Sequence, residues 1–157
     1  MGNSVAGRFK KLFTGNKRSK GVYKLDKSMM TLREEYTIDD IKNHLEGKIG
    51  LGIVPIMDDN TCRWSCIDID AHGDDTPDID IIEMEKSVNE LDLPLIVCRS
   101  KSGGVHLYLF FSEPCPCELA ISTLSMWRHD LGLPESTEIF PKQKRLAKDE
   151  HDELTFG

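Results

Sequence analysis

The chain has 157 residues, 39% hydrophobic and 30% charged, which fits one domain with a proper core and excludes a disordered or fibrous protein. No run of about 18 apolar residues exists and the N-terminus lacks a secretory signal, so a cytosolic protein is expected. The formal charge of −7 argues against a general electrostatic grip on nucleic acid, but it hides a gradient: eight basic residues against Asp26 alone leave +7 on residues 1–27 and −14 on the remaining 130.

Residues 1–30 read as a basic, weakly patterned lead-in, in which Val5, Phe9, Leu12 and Phe13 hint at a short amphipathic turn or two. Such an arm can hold a polyanion, or it can be a solubilising tail. Residues 31–157 form the domain proper. Thr37 with Asp40 three residues on resembles a capping box, and Ile38, Ile41 and Leu45 at helical spacing predict a helix over 38–46 that stops at Gly47. Leu51–Met57 and Thr61–Asp70, joined by Asp58-Asp59-Asn60, read as a β-hairpin, with Pro55 pushing the first strand toward an edge or a bulge. Thr76 and Pro77 predict the start of a helix over 77–91, whose face carries Ile81, Met84, Val88 and Leu91. Leu95–Cys98 and Val105–Phe111 read as strands around a small-residue turn, residues 117–131 as a helix, and Thr137–Phe140 as a last strand. The order α-ββ-α-ββ-α-β predicts an α+β fold, a mixed and largely antiparallel sheet with helices packed on it. The five cysteines are odd in number, and Cys115-Pro116-Cys117 lacks the partner pair of a zinc knuckle, so reduced structural thiols are expected.

Three places could carry chemistry. In Cys66-Ile67-Asp68-Ile69-Asp70, strand alternation puts both carboxylates on one face, roughly 7 Å apart, and both isoleucines on the other. Dry, the two acids would repel, and a divalent cation between them would remove that cost. A solvent-facing edge with two acids by chance is an equal alternative for so short a motif. His106 shares a face with Tyr108 and Phe110, while Val105, Leu107, Leu109 and Phe111 share the other. A lone strand histidine is commonly a satisfied core residue. Before it, however, Arg99-Ser100-Lys101-Ser102-Gly103-Gly104 combines hydroxyls, glycines and two cations in a turn suited to phosphate. Glu138, on the last strand, would be a third oxygen donor, and Lys142 could meet phosphate charge, although a solvated lysine is the default.

The ordered set Trp64-Ser-Cys-Ile-Asp68-Ile-Asp70, Arg99 to Phe111 around His106, and Glu138-Ile-Phe-Pro-Lys-Gln143 resembles the archaeo-eukaryotic primase superfamily. The likeness is to its primase-polymerase branch from phages, plasmids and bacterial mobile or defence-associated elements, and it covers about residues 50–143. The resemblance implies that Asp68, Asp70 and Glu138 ligate two Mg²⁺ or Mn²⁺ ions and that His106 contacts the incoming nucleotide's phosphates. It makes Arg99, Ser100, Lys101, Ser102 and Lys142 neighbours of the triphosphate. It implies template-directed nucleotidyl transfer, in which a 3′-hydroxyl attacks the α-phosphate of an NTP or dNTP. The partners it implies are a single-stranded DNA template and a helicase or other replication protein. Two departures stand out: Gly104 replaces the serine that the family places two residues before its histidine, and the chain stops at Phe156-Gly157, where family members continue with a glycine-containing segment and another strand. A C-terminally shortened version is therefore expected. A metal-dependent nuclease or phosphoesterase using the same residues, and an inactive nucleic-acid-binding module of the same fold, are the alternatives.

Overall fold

A computed structural model of the chain describes residues 4–23, 29–70, 79–100, 103–148 and 154–155. The expected lead-in contributes to the fold. Its first helix, α1 (Val5–Leu12), is capped by Ser4, whose hydroxyl accepts from the Gly7 N–H at 3.1 Å, and ends on Lys10 and Lys11, which suit the negative end of the helix dipole. It is followed by β1 (Lys20–Tyr23) and β2 (Met29–Leu32). Helix α2 (Ile38–Leu45) starts in a complete capping box: Asp40 N–H donates to Thr37 Oγ1, and Thr37 N–H donates back to Asp40 Oδ2. It stops where Gly47 takes a φ of +73°, a conformation glycine adopts without steric cost. With β3 (Gly50–Ile53), the strands form a three-stranded sheet in the order β2-β1-β3. Ala6, Tyr36 and Ile41 make a small core beneath it, with Phe9 and Leu51 packed alongside.

The larger sheet is built from β4 (Thr61–Ile69), β5 (Ile96–Arg99), β6 (Val105–Pro116) and β7 (Glu138–Phe140), in the order β5-β6-β4-β7. Every pairing between described strands is antiparallel. Two helices, α3 (Ile81–Glu90) and α4 (Cys117–Asp130), cover one face. Ile67, Ile69, Val105, Leu107 and Leu109 point into that layer and meet Val88 of α3 and Leu124 of α4. Burying such side chains is worth about 1.5–3 kcal/mol each, so this layer fixes which face of β4 and β6 is left for chemistry. A second cluster joins Ile56, Cys62, Cys117 and Ala120, and a short pair, β8 (Ala147–Lys148) with β9 (Leu154–Thr155), follows β7. All five cysteines are free thiols.

Two expected elements are corrected. The segments around Leu51 and Thr61 do not form a hairpin. Asn60 makes the turn, with a φ of +62° and its N–H on the Met57 carbonyl at 2.9 Å, but β3 pairs with β1 instead. Pro55 has no N–H to offer a ladder, and the preceding Val54 carbonyl is already taken by the Asn16 N–H at 2.8 Å. Helix α3 begins at Ile81, capped by Asp80, whose carboxylate accepts from the Ile82 N–H at 2.8 Å. The expected start at Thr76 and Pro77 lies outside the described residues.

Candidate active site

The acids and the histidine meet on the sheet face opposite the helices. Because β4 alternates, burying Ile67 and Ile69 turns Asp68 the other way. Its direct cross-strand partners are His106 on β6 and Glu138 on β7, and His106 in turn faces Cys98 on β5. One row therefore crosses all four strands: Cys98, His106, Asp68, Glu138. Side chains paired this way stand about 5 Å apart at Cβ, close enough for one ligand to touch several.

His106 Nε2 lies 3.1 Å from Asp68 Oδ1, with the two side chains 29% and 20% exposed. The contact has ion-pair range without hydrogen-bond alignment: Asp68 Oδ1 is buried and has no hydrogen-bond partner. An unmet buried acceptor costs on the order of 1–3 kcal/mol, which an ordered water or a bound ion would offset. At the end of the row, Glu138 Oε1 accepts from Lys142 Nζ at 2.8 Å, and that ammonium also lies 5.1 Å from the centre of the Phe140 ring. Asp70 is exposed one residue beyond the end of β4. Continuing the ladder from Ile69–Val105 sets it level with Gly104. The sequence expected three converging carboxylates; the structure makes neighbours of Asp68 and Glu138 and leaves Asp70 at the rim. Among the described residues, no group of three or more His, Cys, Asp or Glu side chains is gathered so as to hold a metal ion.

The turn before His106 is a tight connector between β5 and β6. Ser100 N–H donates to the Gly104 carbonyl at 2.9 Å and Gly103 N–H to the Ser100 carbonyl at 3.3 Å, with Gly103 at a φ of +92°. These two N–H groups are used within the turn and are not free for phosphate. Arg99 ends β5 with its side chain exposed, and Lys101 and Ser102 lie outside the described residues.

Beside the row stands an aromatic wall. Phe13, just past α1, sets its ring edge-on to Trp64, Tyr108 and Phe110, at centroid distances of 5.4, 5.3 and 5.2 Å. Trp64 Nε1–H donates to the Thr14 carbonyl at 3.1 Å, tying the loop after α1 to this face. Tyr108 bridges wall and row: its hydroxyl is 3.0 Å from His106 Nδ1. Burial, with further help from Cys66, Cys98 and Asp68 nearby, pushes the Tyr108 phenol above its ordinary range, so it stays protonated. Burial likewise raises the Cys66 and Cys98 thiols, so Cys98 is a neutral member of the row and Cys66 a neutral neighbour. The sequence placed Tyr108 on the His106 face but gave it no task. The available signal was its i+2 spacing from the histidine. Phe13 had no such signal, because its partners lie more than fifty residues away.

The fold and this row define an α+β domain that sets two acids and a histidine side by side on one face of an antiparallel sheet. The chain matches the family described as the TOTE conflict system, Archaeo-Eukaryotic Primase domain, over residues 5–154, and it belongs to that family. No curated protein shows significant similarity to it. Within the matched residues fall the whole row, the aromatic wall and α1.

Proposed function

We propose that this domain is a nucleotidyltransferase of the primase-polymerase type, adding NTP or dNTP units to a strand paired with a single-stranded DNA template. The single observation that carries the reading is the position of Asp68 between His106 and Glu138 in one row across three adjacent strands. The donor chemistry fits Mg²⁺ or Mn²⁺: these are carboxylate oxygens, one of them buried without an aligned donor, on neighbouring strands. Asp68, Asp70 and Glu138 would hold two such ions. Bound there, the ions would supply Lewis-acid stabilisation to the attacking hydroxyl and the leaving pyrophosphate.

The chain's own residues supply the rest. His106 turns Nε2 toward the row, where an N–H would suit a phosphate oxygen. Lys142, anchored on Glu138, brings a positive charge to the end of the row, where it meets triphosphate charge. Arg99 and Ser100, at the end of β5, would be further phosphate contacts, as would Lys101 and Ser102, which lie outside the described residues. The basic residues of the N-terminal segment, joined to this face through Phe13, offer a grip on the template backbone. A helicase or other replication protein working beside it, and a cytoplasmic location in a bacterial, phage or plasmid system, complete the proposal.

The test is incubation of the purified chain with a primed single-stranded template, labelled nucleotides and Mn²⁺. Lengthened product supports the reading. Shortened template would replace it with a nuclease, and binding without turnover would leave an inactive nucleic-acid-binding module.

A further inference from the structure

We propose that Arg128 and Ser65 are positioning residues that fix the register of β7 and so hold Glu138 opposite Asp68. Strand β7 has only three residues, Glu138-Ile-Phe140, and Pro141 brings no N–H to extend its ladder on β4. Burial does not choose the register, because Ile139 and Phe140 are both half-buried apolar residues and either could fill the inward position. A slip of one residue would turn Glu138 to the other face of the sheet. The choice is made by donors that reach the backbone at both ends of β7. The Ser65 hydroxyl donates to the Phe140 carbonyl at 2.5 Å. Arg128 donates through Nη1 to the Thr137 carbonyl at 3.1 Å and to the Glu135 carbonyl at 2.6 Å. Neither contact is ambiguous in direction: a guanidinium only donates, and a carbonyl only accepts.

Both donors are themselves held. Ser65 is fully buried on β4, on the same side of the strand as Ile67 and Ile69, which belong to the core beneath the helices. Arg128 lies one turn after Leu124 on α4, and Leu124 is fully buried in that same core. The sheet therefore places one end of β7 and the helix the other, with Glu138 between the two carbonyls they hold. Moving β7 by one residue would carry each carbonyl about 3.3 Å along the strand, beyond hydrogen-bond reach of its donor. The consequence for turnover rests on the polymerase reading, whereas the register itself does not.

The experiment compares the full chain with its double variant, Ser65→Ala with Arg128→Met, by NMR. Backbone NOEs between Asp68 and Glu138 report the register, and those between Asp68 and His106 report whether the rest of the sheet is intact. Each lost bond should shift the register equilibrium by about 5-fold. The variant is therefore expected to show a second set of Glu138 and Ile139 signals and weakened contacts to Asp68, with the Asp68–His106 contacts kept. A loss of about 10-fold in kcat for nucleotide addition should accompany it, and Arg128→Lys, which keeps a cationic donor, should lose less than Arg128→Met. Should the double variant not fold, Arg128→Met, at a half-buried position, carries the same measurement alone. Unchanged Asp68–Glu138 contacts in the folded variant, or loss of the Asp68–His106 contacts along with them, overturn the proposal. A shifted register in the variant, beside a wild-type chain that extends no primer, supports the role of Arg128 and Ser65 and sinks the polymerase reading alone.

Discussion

Asp68 and Glu138 are direct cross-strand partners in the ladder between β4 and β7, two carboxylates side by side with one neighbouring ammonium among the described residues, that of Lys142 on Glu138. Like charges placed this way cost up to about 1 kcal/mol. A fold that keeps them there keeps an electrostatic deficit that a bound cation would relieve. Asp68→Asn should therefore leave the melting temperature unchanged or raise it, while primer extension falls by at least about 100-fold, the scale of losing a group that acts on the transition state. Calorimetry and an extension assay on the same preparation check both halves. A variant that melts early and is inactive would show a structural acid instead.

Lys142 offers a second, opposite case. Its ion pair with Glu138 is exposed, 41% and 46% for the two side chains, so it contributes little to stability. Lys142→Met should change unfolding free energy by less than about 1 kcal/mol. If the ammonium meets the triphosphate, the same change should raise KM for nucleotide several-fold, and the effect should shrink as salt is added. Steady-state kinetics at two salt concentrations decide this. Equal KM values would return Lys142 to the role of a surface lysine.

How much of this was legible in the sequence follows from the range of each interaction. The facing of β4 and β6 could be read from Ile67, Ile69, Val105, Leu107 and Leu109, because alternation is local and burial enforces it. The capping box at Thr37 and Asp40 was readable for the same reason. The row itself was not, since the Asp68–Glu138 register depends on where a three-residue strand lands seventy residues later. The hairpin expected between residues 51 and 70 failed because nothing local reveals that β1, with only Lys20-Gly-Val-Tyr23 to announce it, competes for β3. The segment around Lys20 carried basic charge that masked a strand.

Lys20 is that mask. Its side chain is only 6% exposed, and its ammonium sits 2.8 Å from Asp40 and 3.0 Å from Glu34. Burial disfavours the charged amine, but the hydrogen bonds to Asp40 and Glu34 outweigh it and hold Lys20 above its ordinary 10.5. Burial also disfavours the Asp40 carboxylate, but Lys20 and the two Thr37 hydrogen bonds hold it below its ordinary 3.8. The lysine's contribution is present below its ordinary value and lost as pH rises through the raised one. The aspartate's is present above 3.8 and lost as pH falls through the lowered one. Asp40→Asn should cost roughly 1–3 kcal/mol at neutral pH, and that cost should fade in acid below about pH 3.8. Urea unfolding from about pH 2 to pH 8 tests it. A cost that stays constant down to the lowest pH would mean that charge is not what Asp40 contributes.

The loop that carries Phe13 to the site rests on a glycine. At Gly15 a Cβ would collide with the Val54 carbonyl oxygen and lie 2.6 Å from Ile53 Cγ2. The close approach exists because Gly15 N–H donates to the Tyr36 hydroxyl at 3.1 Å, while Asn16 bonds both the Val54 and Ile56 carbonyls, at 2.8 and 2.9 Å. These bonds stitch the loop after α1 onto the chain leaving β3, and the same loop sets Phe13 against Tyr108. Gly15→Ala must push the loop off the Val54 backbone, which cannot yield as a side chain tip would. A destabilisation of about 1–3 kcal/mol is expected. Because the displaced loop carries Phe13, the loss should extend to the site: weaker pinning of Tyr108 and a lower kcat at temperatures where the chain is still folded. Asn16→Ala, which leaves the buried Ile56 carbonyl unmatched without adding bulk, should cost a similar amount. If both variants unfold earlier yet keep full turnover when folded, the N-terminal loop supports the fold without shaping the site.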